Sequence, residues 1–393
     1  MADPARSRGR YDVAIIGLGS MGSMASWILA SRGKRVIGFD RFRPPHGMGS
    51  HAGLSRIIRE AYYEQPYYIP IVQRAFELWG ELERVSGTII YTRTGGLMLG
   101  EVASAIAGGA RRHAELHGVS CEVLSADQVR QRFPLFRVPD HHLGVYEQRA
   151  GTLIPERGVE AALGVAQRAG ADLRFDEPVE EWIPGDGITL RTAQGTYEAD
   201  RVILAGGAWM AGGLSRLTTP LVVARQLLFW FEPEAGRQAF HPSRFPVFLW
   251  QWTEGHSIYG FPDQGDGFKV AIHHEGQTVH PDTVDRTVHP GEEQKLLAIL
   301  NQFIPGGAGP ITRSGVCLYT NTRDEDFILD HHPDDRRVIV ASPCSGHGFK
   351  FAPAVGEILA DLVTTGISRF DLTPFRADRT RAFGPRLYTG AHG

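Results

Sequence analysis

Gly17-x-Gly19-x-x-Gly22 stands directly after an apolar run, VAII, and a second run, RVIGF, ends in an acid, Asp40. Residues of these types in this order suit a dinucleotide. The glycines permit a tight turn and let backbone approach a pyrophosphate at a helix N-terminus, while the acid accepts from a ribose hydroxyl. Near the other end of the chain, VIVAS leads into a loop with Gly346 and Gly348 ahead of a helical pattern over 353–363. An NAD fingerprint needs no second loop of this kind. A flavin does, because its pyrophosphate and its ring lie far apart, and a helix N-terminus beside the ring favours negative charge there. The two loops together point to FAD, against the plainer reading of the second as a structural strand-to-helix turn.

Other residues carry weaker signals. Arg56 and Arg59, in SRIIRE, are three residues apart and by themselves read as a solvated cationic edge. In GFKVAIHH the alternation sets Phe268, Val270 and Ile272 on one face and Lys269, Ala271 and His273 on the other. At strand rise Lys269 and His273 are roughly 13 Å apart, which suits opposite ends of a flavin-sized site, although a solvated strand face is equally open. Cys317, in RSGVCLYTN, is an isolated thiol in an apolar run, and an isolated thiol is most often core. Cys121 and Cys344 are taken as packing residues. No His, Cys, Asp or Glu group has ligand spacing, so no metal is expected.

These residues need elements to hold them. The first fifty residues read as strand, glycine turn, helix and second strand. YYIPIVQRAFELWGELERV has Tyr68, Val72, Ala75, Phe76, Trp79 and Leu82 at helical spacing, and ADRVILAGGAW reads as a strand returning to the nucleotide sheet. Residues 215–310 look mostly β, with FLWQW placing Trp250 and Trp252 on one strand face, where core is the ordinary reading. The expected fold is α/β, α+β overall: an FAD-binding Rossmann-like domain over 11–85, 145–215 and 311–393, and a β-rich, mixed-sheet substrate domain over 86–144 and 216–310. Residues 1–10 are expected to be a disordered tail.

Composition narrows the partners. The chain has 393 residues, 42% hydrophobic, enough for a large core. A formal net charge of −3 with scattered cations gives no field for nucleic acid or a membrane surface, so small molecules are the expected partners. Three cysteines do not make a disulfide framework, and no apolar run reaches the roughly 18 residues of a membrane span. A cytoplasmic protein is expected, with a monomer as the simplest state.

GSHAGLSRIIREAYYE, RSGVCLYTNTRDEDFILD and SGHGFKF together resemble the monomeric sarcosine oxidase and N-methyltryptophan oxidase family of flavoenzymes, over nearly the whole chain. The resemblance implies FAD attached covalently, through the 8α-methyl group of its ring, to Cys317. It implies Ser50 near the cofactor, Arg56 against the ring, and Arg59 with Lys350 gripping the substrate carboxylate, Lys350 also beside the cofactor. A planar guanidinium suits a carboxylate, and a lysine adds a point charge. It further implies Lys269 over the ring face where oxygen reacts, and His273, Tyr259 and Tyr319 lining the substrate pocket. The chain departs from the family at His51-Ala52, where two histidines are common, and at Leu54-Ser55, where Asp-Thr is common. The loop between Tyr259 and Lys269 is one residue shorter.

The implied activity is flavin-dependent oxidation of a secondary amine amino acid to an imine. O2 is reduced to hydrogen peroxide, and the imine hydrolyses to an aldehyde and an amino acid. The rivals are oxidation of a cyclic imino acid of the proline or pipecolate type, a dehydrogenase with another electron acceptor, and a flavin-binding module without turnover.

Overall fold

The computed structural model describes residues 9–215, 217 and 220–379, so residues 1–8 of the expected tail lie outside the described residues. Of that tail Gly9 and Arg10 are described, and Arg10 donates to Asp186 O at 2.9 Å and pairs with Asp200.

Tyr11–Ile16 is the centre of an eight-stranded sheet, parallel to Val36–Phe39 on one side and to Gly195–Leu204 on the other. Its apolar run is continuous because both faces are covered. Val13 and Ile15 enter one core with the helices Ser20–Ser31, Ile69–Ser86, Pro155–Arg168 and Ala352–Thr364, while Ala14 and Ile16 enter a second with Trp182 and Leu190. Gly195–Leu204 changes partner along its length. Its first half pairs antiparallel with Ile188–Thr192, and its second half pairs parallel with Val338–Ser342, the strand that leads into the second glycine loop.

A nine-stranded mixed sheet carries the rest. Phe268–His273 lies in it with Phe268 and Val270 in its aromatic core and Ala271 on the opposite side with Cys317, Tyr319 and Tyr259, as the alternation requires. Trp250 is fully buried in that core, and Trp252 is only partly buried beside a register shift after Gln251. Two features differ from the sequence reading. Ile311–Asn321, allotted to the cofactor side, pairs with Val222–Phe231 over its whole length and so belongs to this sheet. Gln294–Phe303 is a helix within the supposed β region, burying Leu296, Ile299, Leu300 and Phe303 at helical spacing. A small third sheet joins Arg56–Ile58, Gly151–Leu153 and Tyr91–Arg93. Among the described residues no helix is long and apolar enough to cross a membrane.

Candidate active site

The two glycine loops form as their sequences require. A Cβ at Gly22 would lie 1.8 Å from Gly17 O, and one at Gly348 would lie 1.8 Å from Pro343 O, so neither turn admits a side chain. The helix Ser20–Ser31 begins at Gly19 with no side-chain cap and no acid in its first turn, leaving its positive end available to an anion.

Both loops open on one cavity of about 390 Å³. Gly17, Gly19, Asp40, Ser50, Gly346 and Gly348 line it, as do Arg56, Arg59, Tyr259, His273, Cys317, Tyr319 and Lys350. Gly22 shapes the turn from behind. Lys269 is also outside the wall: its Nζ donates to Gly53 O at 2.6 Å and to Ser55 O and Ser55 Oγ at 3.1 Å. It lies 5.1 Å from the Trp230 ring centroid and 4.7 Å from that of Phe261.

Asp40 is pinned by its own backbone surroundings, Oδ2 accepting from Leu18 N at 2.8 Å and Oδ1 from Phe42 N at 2.9 Å. Each oxygen keeps lone-pair capacity toward the cavity. Arg56 is fixed by three carbonyls, those of Ser50, Ala52 and Ser55 at 2.6–2.7 Å, and it donates to Cys317 Sγ at 3.5 Å. The chain between Ser50 and Arg56 thus folds around the guanidinium and sets it against a thiol 261 positions away in sequence. Cys317 is 3% exposed. Cys344, read from the sequence as packing, also lines the cavity.

At the other charged group the structure adds a residue that the sequence did not single out. Arg59 Nη2 donates to both Glu64 oxygens at 2.8 Å, and Nη1 donates to Ala61 O at 2.8 Å. The guanidinium stacks over Tyr62 and Tyr63, 4.4 and 4.7 Å from their ring centroids. Arg59 is therefore already paired with a carboxylate of the chain itself. An acid five residues after an arginine on irregular chain has no fixed geometry, so the only signal was its presence in REAYYE. Burial alone would raise the Glu64 carboxyl, but Arg59, His347 and Lys350 outweigh burial and hold it below its ordinary value. Lys350 Nζ donates to His347 O at 2.6 Å; burial, then Arg59, lower its pKa to about 7 despite Glu64.

Four other polar side chains of the wall, His273, Tyr259, Tyr319 and His347, are uncharged. His273 Nδ1 lies 3.2 Å from Tyr319 Oη, and burial with His274 beside it pushes the imidazole well below its ordinary value. Burial raises the Tyr259 and Tyr319 hydroxyls. His347 accepts the Tyr62 hydroxyl at Nδ1, 2.5 Å away, and its Nε2 faces Glu325 O at 3.1 Å; burial brings its pKa down to about 3.

Folding also brings together Glu101, His141 and His142, which no sequence spacing signalled; they are not in the cavity wall. His142 Nδ1 accepts from Trp250 Nε1 at 3.1 Å, and a metal on its other nitrogen would require a proton at Nδ1, so the indole opposes metal binding there.

Residues 12–362 match the family model described as FAD dependent oxidoreductase, DAO. A monomeric sarcosine oxidase from Streptomyces avermitilis is 41% identical over 377 residues, covering 95% of this chain and 98% of that protein. An N-methyl-L-tryptophan oxidase from Salmonella heidelberg is 35% identical, covering 94% and 99%. Among solved structures, NikD, an unusual amino acid oxidase essential for nikkomycin biosynthesis, superposes with a TM-score of 0.79 at 25% identity, covering 93% of this chain and 97% of that one. The chain belongs to the DAO family of FAD dependent oxidoreductases, among relatives that include the monomeric sarcosine oxidases and the N-methyl-L-tryptophan oxidases.

Proposed function

We propose that this protein oxidises the secondary amine of an N-methyl amino acid, of the sarcosine or N-methyltryptophan type, with FAD as cofactor and O2 as electron acceptor. The observation that carries this reading is one cavity holding both a dinucleotide turn and an arginine that already grips a carboxylate, Glu64. The residues present fit FAD. Turns that admit only glycine, an uncapped helix N-terminus, a buried acid and a fixed guanidinium beside a thiol all border the same space.

FAD, when bound, supplies the two-electron acceptor for the C–N bond. The protein supplies the rest. A substrate carboxylate takes the place of Glu64 on Arg59, while Ala61 O keeps the guanidinium aimed, and Lys350 adds charge from a second side. Around the amine, neutral His273 and the protonated tyrosines Tyr259 and Tyr319 offer no anion. The neutral amine, which has the free lone pair, is thereby favoured over the ammonium ion. The imine product is hydrolysed by water to aldehyde and amino acid. A cytoplasmic monomer with the cofactor on the first sheet and the substrate under the second completes the proposal; free thiols at Cys121 and Cys344 support a reducing compartment.

A panel of N-methyl and cyclic amino acids tests this. Equal amounts of peroxide and aldehyde are expected from an N-methyl substrate. Peroxide without aldehyde would move the assignment to cyclic imino acids, and no peroxide from any of them would refute it.

The same proposal attaches FAD to Cys317, supported by the thiol's place in the cavity wall beside Arg56. Acid precipitation of the holoenzyme should leave the yellow chromophore on the protein, and a tryptic peptide containing Cys317 should carry the FAD mass. Free flavin in the supernatant of fully loaded protein rules attachment out.

A further inference from the structure

Arg59 stands at the head of a short irregular segment, residues 59–64, that follows the strand Arg56–Ile58. Neither helix nor sheet fixes this backbone. Instead, one carboxylate from the second sheet takes its N–H groups. Glu147, the last residue of His142–Glu147, accepts from Glu60 N at 3.0 and 2.8 Å through its two oxygens and from Ala61 N at 2.8 Å through Oε2. The carbonyl of Ala61 accepts from Arg59 Nη1. A single residue thus separates the carboxylate from the guanidinium that meets the substrate. Two positions further on, Arg149 donates to the Glu60 side chain at 2.5 Å, so the same turn holds both backbone and side chain.

Glu147 is 1% exposed, and its hydrogen bonds are to peptide N–H groups. Burying a carboxylate is costly unless it is bonded, and an apolar residue here would leave two buried N–H groups without acceptors.

We propose that Glu147 is a positioning residue for substrate binding, fixing the Glu60–Ala61 backbone so that Arg59 faces the cavity in the geometry that exchanges Glu64 for the substrate carboxylate. This rests on the reading of Arg59 as the carboxylate-binding residue.

A pH signature follows. Burial raises the Glu147 carboxyl to about 7; the Ala61 and Glu60 N–H bonds and Arg59 oppose the rise, and the Glu60 carboxylate adds to it. Tyr91 and Cys121 face it from neighbouring segments, and Arg149 lies beyond the turn. Glu147 is therefore a full acceptor above about pH 7 and is progressively protonated below it, so carboxylate binding weakens as pH falls through that value. Lys350, with a pKa also of about 7, gives the opposite limb on the alkaline side.

The test uses holoenzyme, with sarcosine and the carboxylate-free N-methylethylamine as probes, and reads apparent Kd and limiting rate from anaerobic flavin reduction. Glu147→Gln places an amide donor against an N–H donor. It should raise the sarcosine Kd roughly tenfold, leave the limiting rate and the N-methylethylamine Kd nearly unchanged, and abolish the part of the acid limb that N-methylethylamine does not share, since protonation of the substrate amine is common to both probes. Glu147→Asp, which keeps the charge, should recover part of the affinity. Equal losses for both probes, a lowered limiting rate at unchanged Kd, or no change would each overturn the proposal. If Glu147→Gln does not fold, a wild-type sarcosine Kd whose acid limb is no steeper than that of N-methylethylamine would overturn it as well. Arg59→Met separates the two readings. If Arg59→Met removes the preference for the carboxylate and Glu147→Gln does not, only this proposal falls; if Arg59→Met leaves that preference intact, the clamp reading falls and takes this one with it.

Discussion

Lys269→Met is expected to slow reoxidation of the reduced flavin by about 10²-fold or more, the range seen when one preorganised electrostatic group is lost from a site. Lys269 and Arg56 converge on one point of the chain: a Cβ built at Gly53 would lie 3.2 Å from Arg56 Nη1 and 3.5 Å from Lys269 Nζ. Burial, and then Arg56, push the lysine pKa well below its ordinary value. Negative charge developing on oxygen nearby would offset both penalties, and at low effective dielectric that gain is large. The ammonium is carried by carbonyl and hydroxyl oxygens and flanked by Trp230 and Phe261, so it needs little reorganisation. Anaerobic reduction by the amine should change far less, because the carboxylate-binding groups are untouched. Since the lysine pKa is lowered, its charge is present at low pH and lost as pH rises, and the decline in reoxidation should follow and be missing from Lys269→Met. Stopped-flow absorbance separates the half-reactions. A variant that impairs both equally, or leaves reoxidation unaltered, removes Lys269 from oxygen chemistry.

Arg59→Met and Lys350→Met should each weaken amino acid binding by roughly tenfold to a hundredfold, because charge-assisted hydrogen bonds contribute about 1.5–3 kcal/mol. The two losses should not add. Both residues interact with Glu64, so removing either one returns that carboxylate to the other. Secondary amines without a carboxylate should lose little. Lys350, lowered to about 7, carries its charge below that pH and loses it above, so binding of a simple carboxylate inhibitor such as propionate should weaken as pH rises through about 7. In Lys350→Met that dependence should flatten. Flavin absorbance titrations measure it, and equal losses for substrates with and without the carboxylate would make both residues structural.

Some of the site was legible because its causes are local. The collision of a Cβ with Gly17 O or Pro343 O occurs within a few residues, so the glycine pattern alone announces both loops. The alternation in GFKVAIHH correctly divided its faces, since side-chain direction along a strand depends only on neighbouring residues. The same rule could not say that Lys269 would stop behind Gly53 and outside the cavity wall. That depends on the approach of the irregular segment 50–55, which leads into the strand Arg56–Ile58 of another sheet.

From its own residues the sequence therefore determined the cofactor class and the elements that cradle it, and its family resemblance named a group of polar residues that meet in the cavity. Tertiary structure decided which groups are partners. The register of Ile311–Asn321 on Val222–Phe231 sets Cys317 opposite Gln226, and the fold of Ser50–Arg56 brings Arg56 to its thiol. The irregular chain 59–64 has no periodicity to read, and its shape is imposed by Glu147 from the second sheet and by the ion pair of Arg59 with Glu64. Those contacts link distant segments. Their energies depend on burial and on which like and unlike charges face each other, and neither exists until the sheets have packed.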